Sequence, residues 1–384
     1  MKSGWPDEKT LQRQAAPASP PGPPGRLATC ASRAPAPVTV CPPEIGPPSL
    51  SADLLPQFDA LIRRDPARRG LLSSEPELGP LCPGHLAAAA TDLARSGTQV
   101  AILTGFYIPH STPPAAETDG PPGAVFLASA LQRAGIEARI ITDELCGSAV
   151  LAAANAAGQT DDQVLVCPLQ GEDWRADFFE HGFGSRLSHL IAIERVGPSH
   201  TPESLAGQPR PTPAPLEEFS RRVPSHSFGV CHNMRGHNID AVTGDAHRLF
   251  EELPRYCPQA RTIGIGDGGN EIGMGQISWE DLVRRLPGEA AARIPCRIAT
   301  DWTIVAGVSN WGGYALAAAT LWLRGQAELL RDRTADQELQ VLQQMVSQGP
   351  AVDGVTRQFE ATMDGLPFLT GIQPWEGMRR LLGL

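Results

Sequence analysis

Acidic side chains gather in loops that directly follow apolar strands. In "TIGIGDGGNEIGMG" (262–275), Gly264, Gly266 and Gly269 match the G-x-G-x-x-G spacing of a phosphate-cradling turn, yet Asp267 lies inside the turn and Glu271 follows it. A dinucleotide fingerprint sits early in its β-α-β unit and has an acid about twenty residues on, at the end of the next strand. Here Glu289 stands near that distance but in a helical or turn-like stretch, so no nicotinamide cofactor is expected. Asp267, Asn270 and Glu271 instead bring three oxygen-bearing side chains together, the ligand type that hard cations such as Mg²⁺ or Mn²⁺ take. A tight turn with an aspartate helix cap is the plainer reading of the same residues.

Three further loops carry candidate chemistry. "TGFYIPHSTPPAAETDGPPGA" (104–124) holds Glu117 and Asp119, which face one side of an extended segment. Carboxylates so placed repel unless a cation or a proton lies between them; a solvated acidic loop has the same composition. "GVSNWGGYA" (307–315) offers Ser309 and Asn310, which either bind a ligand's polar groups or cap the next helix. "SHSFGVCHNMRGHNID" contains His226, Cys231, His232 and His237, whose spacing matches no standard zinc finger. Its Asn233 and Arg235, beside Gly236, form a candidate anion site, because a guanidinium grips carboxylate as a bidentate fork. Arg195 in "AIERVG" is a second candidate clamp, with Glu194 as its partner or as a cation ligand. For each arginine a structural ion pair is the other reading.

The elements that position these loops alternate. Strands are expected at 98–103, 136–142, 163–169, 189–197, 261–266 and 302–307. Helices are expected at 123–135, 144–158, 239–253, 314–332 and 335–348. This order predicts an α/β fold with a mostly parallel sheet covered by helices on both faces. Ligands of such sheets sit beyond the carboxyl ends of the strands, where the unusual loops begin. Residues 46–384 are expected to form a single large domain. Residues 1–45, rich in Pro and Ala with "PASPPGPPG" at their centre, are expected to be a disordered tail.

Composition narrows the function. With 384 residues, 41% hydrophobic and 19% charged, the chain can bury a sizeable core. A net charge of -10, with basic runs no longer than Arg63-Arg64 or Arg284-Arg285, excludes nucleic acid and anionic membranes as expected partners. The uncharged run 302–323 is long enough to span a bilayer, but Ser309, Asn310, Gly312 and Gly313 interrupt it, so a strand, a turn and a helix are expected instead. Eight cysteines without a C-x-x-C pair, and no secretory leader, point to reduced thiols and a cytoplasmic location. The absence of acids from Lys9 to Cys41 keeps a transit segment to the mitochondrial matrix as the other reading.

Taken in order, "TGFYIP", "ETDGPPGA", "AIERVG", "NMRG", "GIGDGGNEIGMG" and "AGVSNWGGYAL" resemble the D-glutamate cyclase family, specifically its C-terminal catalytic-type domain; "VDGVT" (352–356) and "DGLP" (364–367) fit as well. The resemblance runs from about residue 55 onward. Larger members carry an additional N-terminal hydratase-like domain, so the likeness is to a stand-alone form. It implies conversion of D-glutamate to 5-oxo-D-proline with loss of water, assisted by Mn²⁺ or Mg²⁺; the sequence leaves a monomer and a homo-oligomer both open. Chemistry then assigns Asp267, Glu271 and Asp119 as catalytic, with Glu117 beside them as metal ligands. Thr104, Arg195, Asn233, Arg235, Asn270, Ser309 and Asn310 are assigned to the substrate. A metal-dependent phosphohydrolase and a non-enzymatic amino-acid or nucleotide binding module are the alternatives.

Overall fold

Six short apolar runs pair side by side because each has two faces to bury. A computed structural model describes residues 53–66, 68–72 and 77–384; the expected tail over 1–45 lies outside them. The strands are β1 (Gln99–Thr104), β2 (Glu137–Asp143), β3 (Val164–Cys167), β4 (His189–Ile193), β5 (Arg261–Gly266) and β6 (Trp302–Val305). They form one sheet in the order β3-β2-β1-β4-β5-β6, and every neighbouring pair is parallel. The strand order reverses between β1 and β4. In doubly wound sheets such a switch opens a crevice at the carboxyl ends of the strands.

Side-chain alternation divides the core in two. Ile102, Ile140, Ile191 and Ile263 point into one apolar layer, which contains the helices His85–Ser96, Pro121–Arg133, Gly147–Ala156 and Ser309–Leu323. Leu103, Ile141, Leu190 and Ala192 point into the other, formed by the helices Glu172–Glu180, Arg248–Tyr256 and Trp279–Arg285. Each fully buried Ile or Leu contributes roughly 1.5–3 kcal/mol of transfer free energy. A one-residue slip of any strand would exchange its two faces. The fold is thus α/β with a parallel sheet covered on both sides.

The structure moves several expected boundaries. The run 302–323 becomes β6, a turn and the helix Ser309–Leu323, which is apolar on all sides because other helices enclose it. No helix among the described residues is long and apolar enough to cross a membrane. The helix expected over 314–332 stops at Leu323, where Arg324 turns its guanidinium onto the carbonyls of Ala94 and Ala134. Over 239–253 only a short 3-10 turn (Asp240–Val242) and the helix Arg248–Tyr256 form. Between them the Thr243 carbonyl faces Arg195, a tertiary contact that overrides helical periodicity. The six described cysteines are free thiols.

Candidate active site

The loops after β1, β4 and β5 meet at the crevice. Ala115–Glu117 pairs antiparallel with Tyr107–Ile108 and parallel with Ala351–Val352, which holds Glu117 beside the loop that follows Val352. Glu194 closes β4 with a left-handed backbone, φ 47°, a conformation that costs a non-glycine residue of order 1–3 kcal/mol. The Ser309 hydroxyl donates to its carboxylate at 2.5 Å. Asp267 follows β5 and pairs with Arg69, which comes from the distant loop after the helix Leu55–Ile62 and also binds Asp364 at 2.6 Å. Glu117, Asp119, Glu194, Asp267, Glu271 and Asp364 are each at most 6% exposed.

The glycine-rich turn is explained by Glu271. Its two carboxylate oxygens accept the amides of Gly268 at 2.8 Å and Gly269 at 2.7 Å. These are amides of the kind that would otherwise hold a phosphate, so the turn cradles its own anion. A Cβ on Gly268 would stand 2.7 Å from that carboxylate, which is why a side chain is absent there. Asn270 donates to the His232 carbonyl at 2.9 Å, while its Oδ1, on a residue 1% exposed, has no partner among the described residues.

Burial dominates the electrostatics. It pushes Glu117 well above the usual carboxylate range, and the charges of Asp364 and Asp119 add to the effect. Glu194 and Asp267 are likewise pushed well up by burial; Glu271 raises Glu194 further, and Arg69 opposes the shift at Asp267. Glu271 is also raised by burial, against the backbone amides and Arg69. Asp119 rises to about 7 through burial and Asp364, against the amides of Asn310 and Ser309 and the charge of Arg69. Burial disfavours the charge on Arg69, but the surrounding acids outweigh it and hold the guanidinium protonated. One half-buried cation faces six buried acids, too few to balance them all in their charged form, so burial favours the protonated carboxyl groups.

A cavity of about 210 Å³ opens onto this cluster. Glu117, Glu194, Asp267 and Asn270 line it, with Arg69, Asn233, Arg235, Arg357 and His110 around them and Phe106, Ile108, Met234 and Val355 as apolar wall. Its volume is below the roughly 300–1,000 Å³ of drug-sized sites, which suits a metabolite the size of one amino acid. Asn233 shapes the turn that presents Arg235, since its Oδ1 accepts the amides of Arg235 at 3.0 Å and His237 at 3.1 Å.

Other expected residues lie behind the cavity. Asp119 accepts the amides of Gly120, Ser309 and Asn310, each at 2.9 Å, and so caps the helix Ser309–Leu323 from a neighbouring loop. Asn310 accepts from the amides of Gly120 and Gly123 and donates to the Thr118 carbonyl, which ties that loop to the same helix. Thr104 is fully buried and its hydroxyl has no partner among the described residues. Arg195 turns away from the cavity altogether. It pairs with Asp143 at 2.5 Å and donates to the carbonyls of Gly105 and Thr243, so its placement does not support the clamp expected of it.

Two groups of acids bring oxygen atoms within 4.8 Å of one another: Asp119, Asp267 and Asp364, and Glu194, Asp267 and Glu271. Glu117 belongs to neither group and stands on the cavity wall. Sequence reasoning missed Arg69, Asp364 and Arg357, and gave Glu194 only a secondary place beside Arg195. "DGLP" and "VDGVT" were visible signals for two of these regions.

Comparison with known proteins covers the same residues. A family model described as "D-glutamate cyclase-like, C-terminal" matches residues 58–205 and 221–374. These segments include every cavity residue named above. A curated relative from Homo sapiens, "D-glutamate cyclase, mitochondrial", is 31% identical over 271 residues, which make up 68% of this chain and 38% of the relative. The aligned part is thus well under half of the relative's length.

Proposed function

The chain belongs to the D-glutamate cyclase-like family through that family's C-terminal domain, and from this premise we propose that it cyclises D-glutamate to 5-oxo-D-proline with loss of water. The observation that carries the reading is the charge layout of the cavity: Glu117, Glu194 and Asp267 face a space also bordered by Arg235. An ammonium group fits against the acids and the α-carboxylate against the guanidinium. In ring closure the nitrogen bonds to the side-chain carboxyl carbon and one carbon–oxygen bond breaks. The two protons lost by the ammonium leave with that oxygen as water, so no co-reactant is needed. Glu117 lines the cavity and accepts no hydrogen bond from any described residue, so its carboxyl group, pushed up by burial, is unencumbered for proton exchange with the substrate. Glu194, oriented by Ser309, is a second proton carrier.

A divalent cation, Mn²⁺ or Mg²⁺, fits the same floor. The donors are all oxygen, the acids outnumber the cations, and among the described residues Oδ2 of Asp267 and Oδ1 of Asn270 have no partner despite burial, while Oδ1 of Asp267 meets Arg69. Asp267, shared by both oxygen groups, would hold it with Glu194 and Glu271 or with Asp119 and Asp364. Such an ion supplies Lewis-acid polarisation of the carboxyl group. The test is an assay of D- and L-glutamate, each with and without chelator, with the product read by chiral chromatography. Formation of 5-oxo-D-proline from the D-isomer supports the reading; no 5-oxoproline from D-glutamate under any metal condition overturns it.

A further inference from the structure

The loop "VDGVTR" (352–357) lies directly on the acid floor. Asp353 is fully buried, and its carboxylate accepts the amides of Val355 and Thr356 at 2.9 Å, the amide of Gly365 and the Thr362 hydroxyl at 2.7 Å. Its carbonyl takes the Arg357 amide at 2.7 Å. Residue 354 must be glycine, because a Cβ there would stand 1.6 Å from a Glu117 carboxylate oxygen. The loop therefore has no slack over Glu117, and it presents Arg357 to the cavity. Arg357 has a left-handed backbone, φ 60°. Among described non-glycine residues Arg68, Cys82, Glu194, Arg357 and Asp364 share that conformation. All except Cys82 lie in this site or next to Arg69, and strain of this kind persists where the surroundings over-determine it.

The cationic side chains around the cavity differ in what they already hold. Arg69 is bound to Asp267 and Asp364. Arg235 and Arg357 line the same cavity and form no ion pair with any described residue.

We propose that Arg235 and Arg357 are a paired carboxylate grip that selects an amino acid with two carboxylates. Arg235 takes the α-carboxylate and Arg357 the side-chain carboxylate. This rests on the cyclase reading and adds its substrate selectivity. Two unpaired guanidiniums match the two carboxylates of glutamate, and the acid floor matches its single ammonium. Gripping both ends bends the chain so that the nitrogen faces the side-chain carboxyl carbon. The Arg357 charge also offsets that carboxylate's resistance to an approaching nucleophile.

The test uses the full chain, wild type and the Arg357→Met and Arg357→Lys variants. It measures steady-state turnover of D-glutamate and calorimetric binding of D-glutamate and of D-2-aminobutyrate, which lacks the side-chain carboxylate. Arg357→Met is expected to raise KM for D-glutamate about tenfold to a hundredfold. The lysine variant is expected to recover part of the loss. D-2-Aminobutyrate is expected to bind wild type and Arg357→Met equally, with thermal melting unchanged. An unchanged KM, or equal weakening of both ligands, overturns the grip. If wild type forms no 5-oxoproline, the cyclase reading fails, and the binding comparison alone then decides whether Arg357 recognises the second carboxylate.

Discussion

Arg195 and Arg69 both end on buried carboxylates, and they differ in how many. Arg195 meets Asp143 alone, with both side chains at 1% exposure, and two backbone carbonyls complete its contacts. Arg69 meets Asp267 and Asp364, and feels the charges of Glu194 and Glu117 as well. The first pair is balanced and closed, and it fastens the loops after β1 and β4 to the Thr243 turn. The second is unbalanced and borders a cavity. A buried charge with a single matched partner belongs to the architecture, whereas surplus buried charge facing open space marks a place where a ligand completes the balance.

The strongest way to break this contrast is Arg195→Met. It leaves Asp143 buried without its partner, and about 3–5 kcal/mol of stability is expected to be lost. Urea denaturation measures this, and a wild-type midpoint would remove the structural role assigned here. Glu194→Gln should do the reverse. Turnover of D-glutamate is expected to fall about a hundredfold or more, while melting stays unchanged or rises because one of several like charges is gone. Activity within a fewfold of wild type would sink Glu194 as a proton carrier.

A smaller effect concerns the cation. Mn²⁺ at about a hundred times its dissociation constant is expected to stabilise the wild type by about 2.7 kcal/mol, and Asp267→Asn to lose most of that gain. Equal thermal shifts in both proteins would place the ion elsewhere. The mildest test uses the pair Arg333–Glu338, 2.8 Å apart and outside the cavity. Burial raises Glu338 to about 7 although Arg333 pulls it down. Its folded pKa exceeds the unfolded value, so its contribution is full below about 4.5 and is lost as pH rises through about 7. Glu338→Gln is therefore expected to flatten the stability profile across that window, by on the order of 1–3 kcal/mol. A profile parallel to wild type would show that pairing, not burial, governs this acid.

Much of the fold is readable along the chain. All six sheet strands appear as apolar runs, because strands buried on both faces need no polar alternation. Helix ends are less legible where a distant side chain decides them, as Arg324 and Arg195 do. In the site, Asp267, Glu271, Glu117 and Asp119 stand out because acids directly after apolar strands are chemically conspicuous. Their division of labour is not legible: only the folded chain shows that Asp119 and Glu271 are satisfied by backbone amides while the Glu117 carboxyl group accepts no bond from a described residue. Arg195 is the conspicuous arginine after β4, yet Glu194, turned by its left-handed backbone, is the residue that lines the cavity, while Arg195 pairs with Asp143. Arg69 carries no local signal, and the "VDGVT" and "DGLP" motifs mark the neighbourhoods of Arg357 and Asp364 without showing their roles, because those come from partners far away in the chain.

The Arg69–Asp364 ion pair joins residues 295 positions apart. Its consequence is one of timing. As the polypeptide leaves the ribosome, all six strands of the sheet are made before Asp364 and Arg357 exist. The sheet can assemble from earlier segments, but the cavity cannot acquire its wall until the last of these loops has emerged and docked. A partly synthesised chain therefore holds a framework without a working pocket, and competence arrives late and all at once. Contacts of such long range are also the slowest to form, so recovery of the cavity after denaturation should lag behind recovery of the sheet.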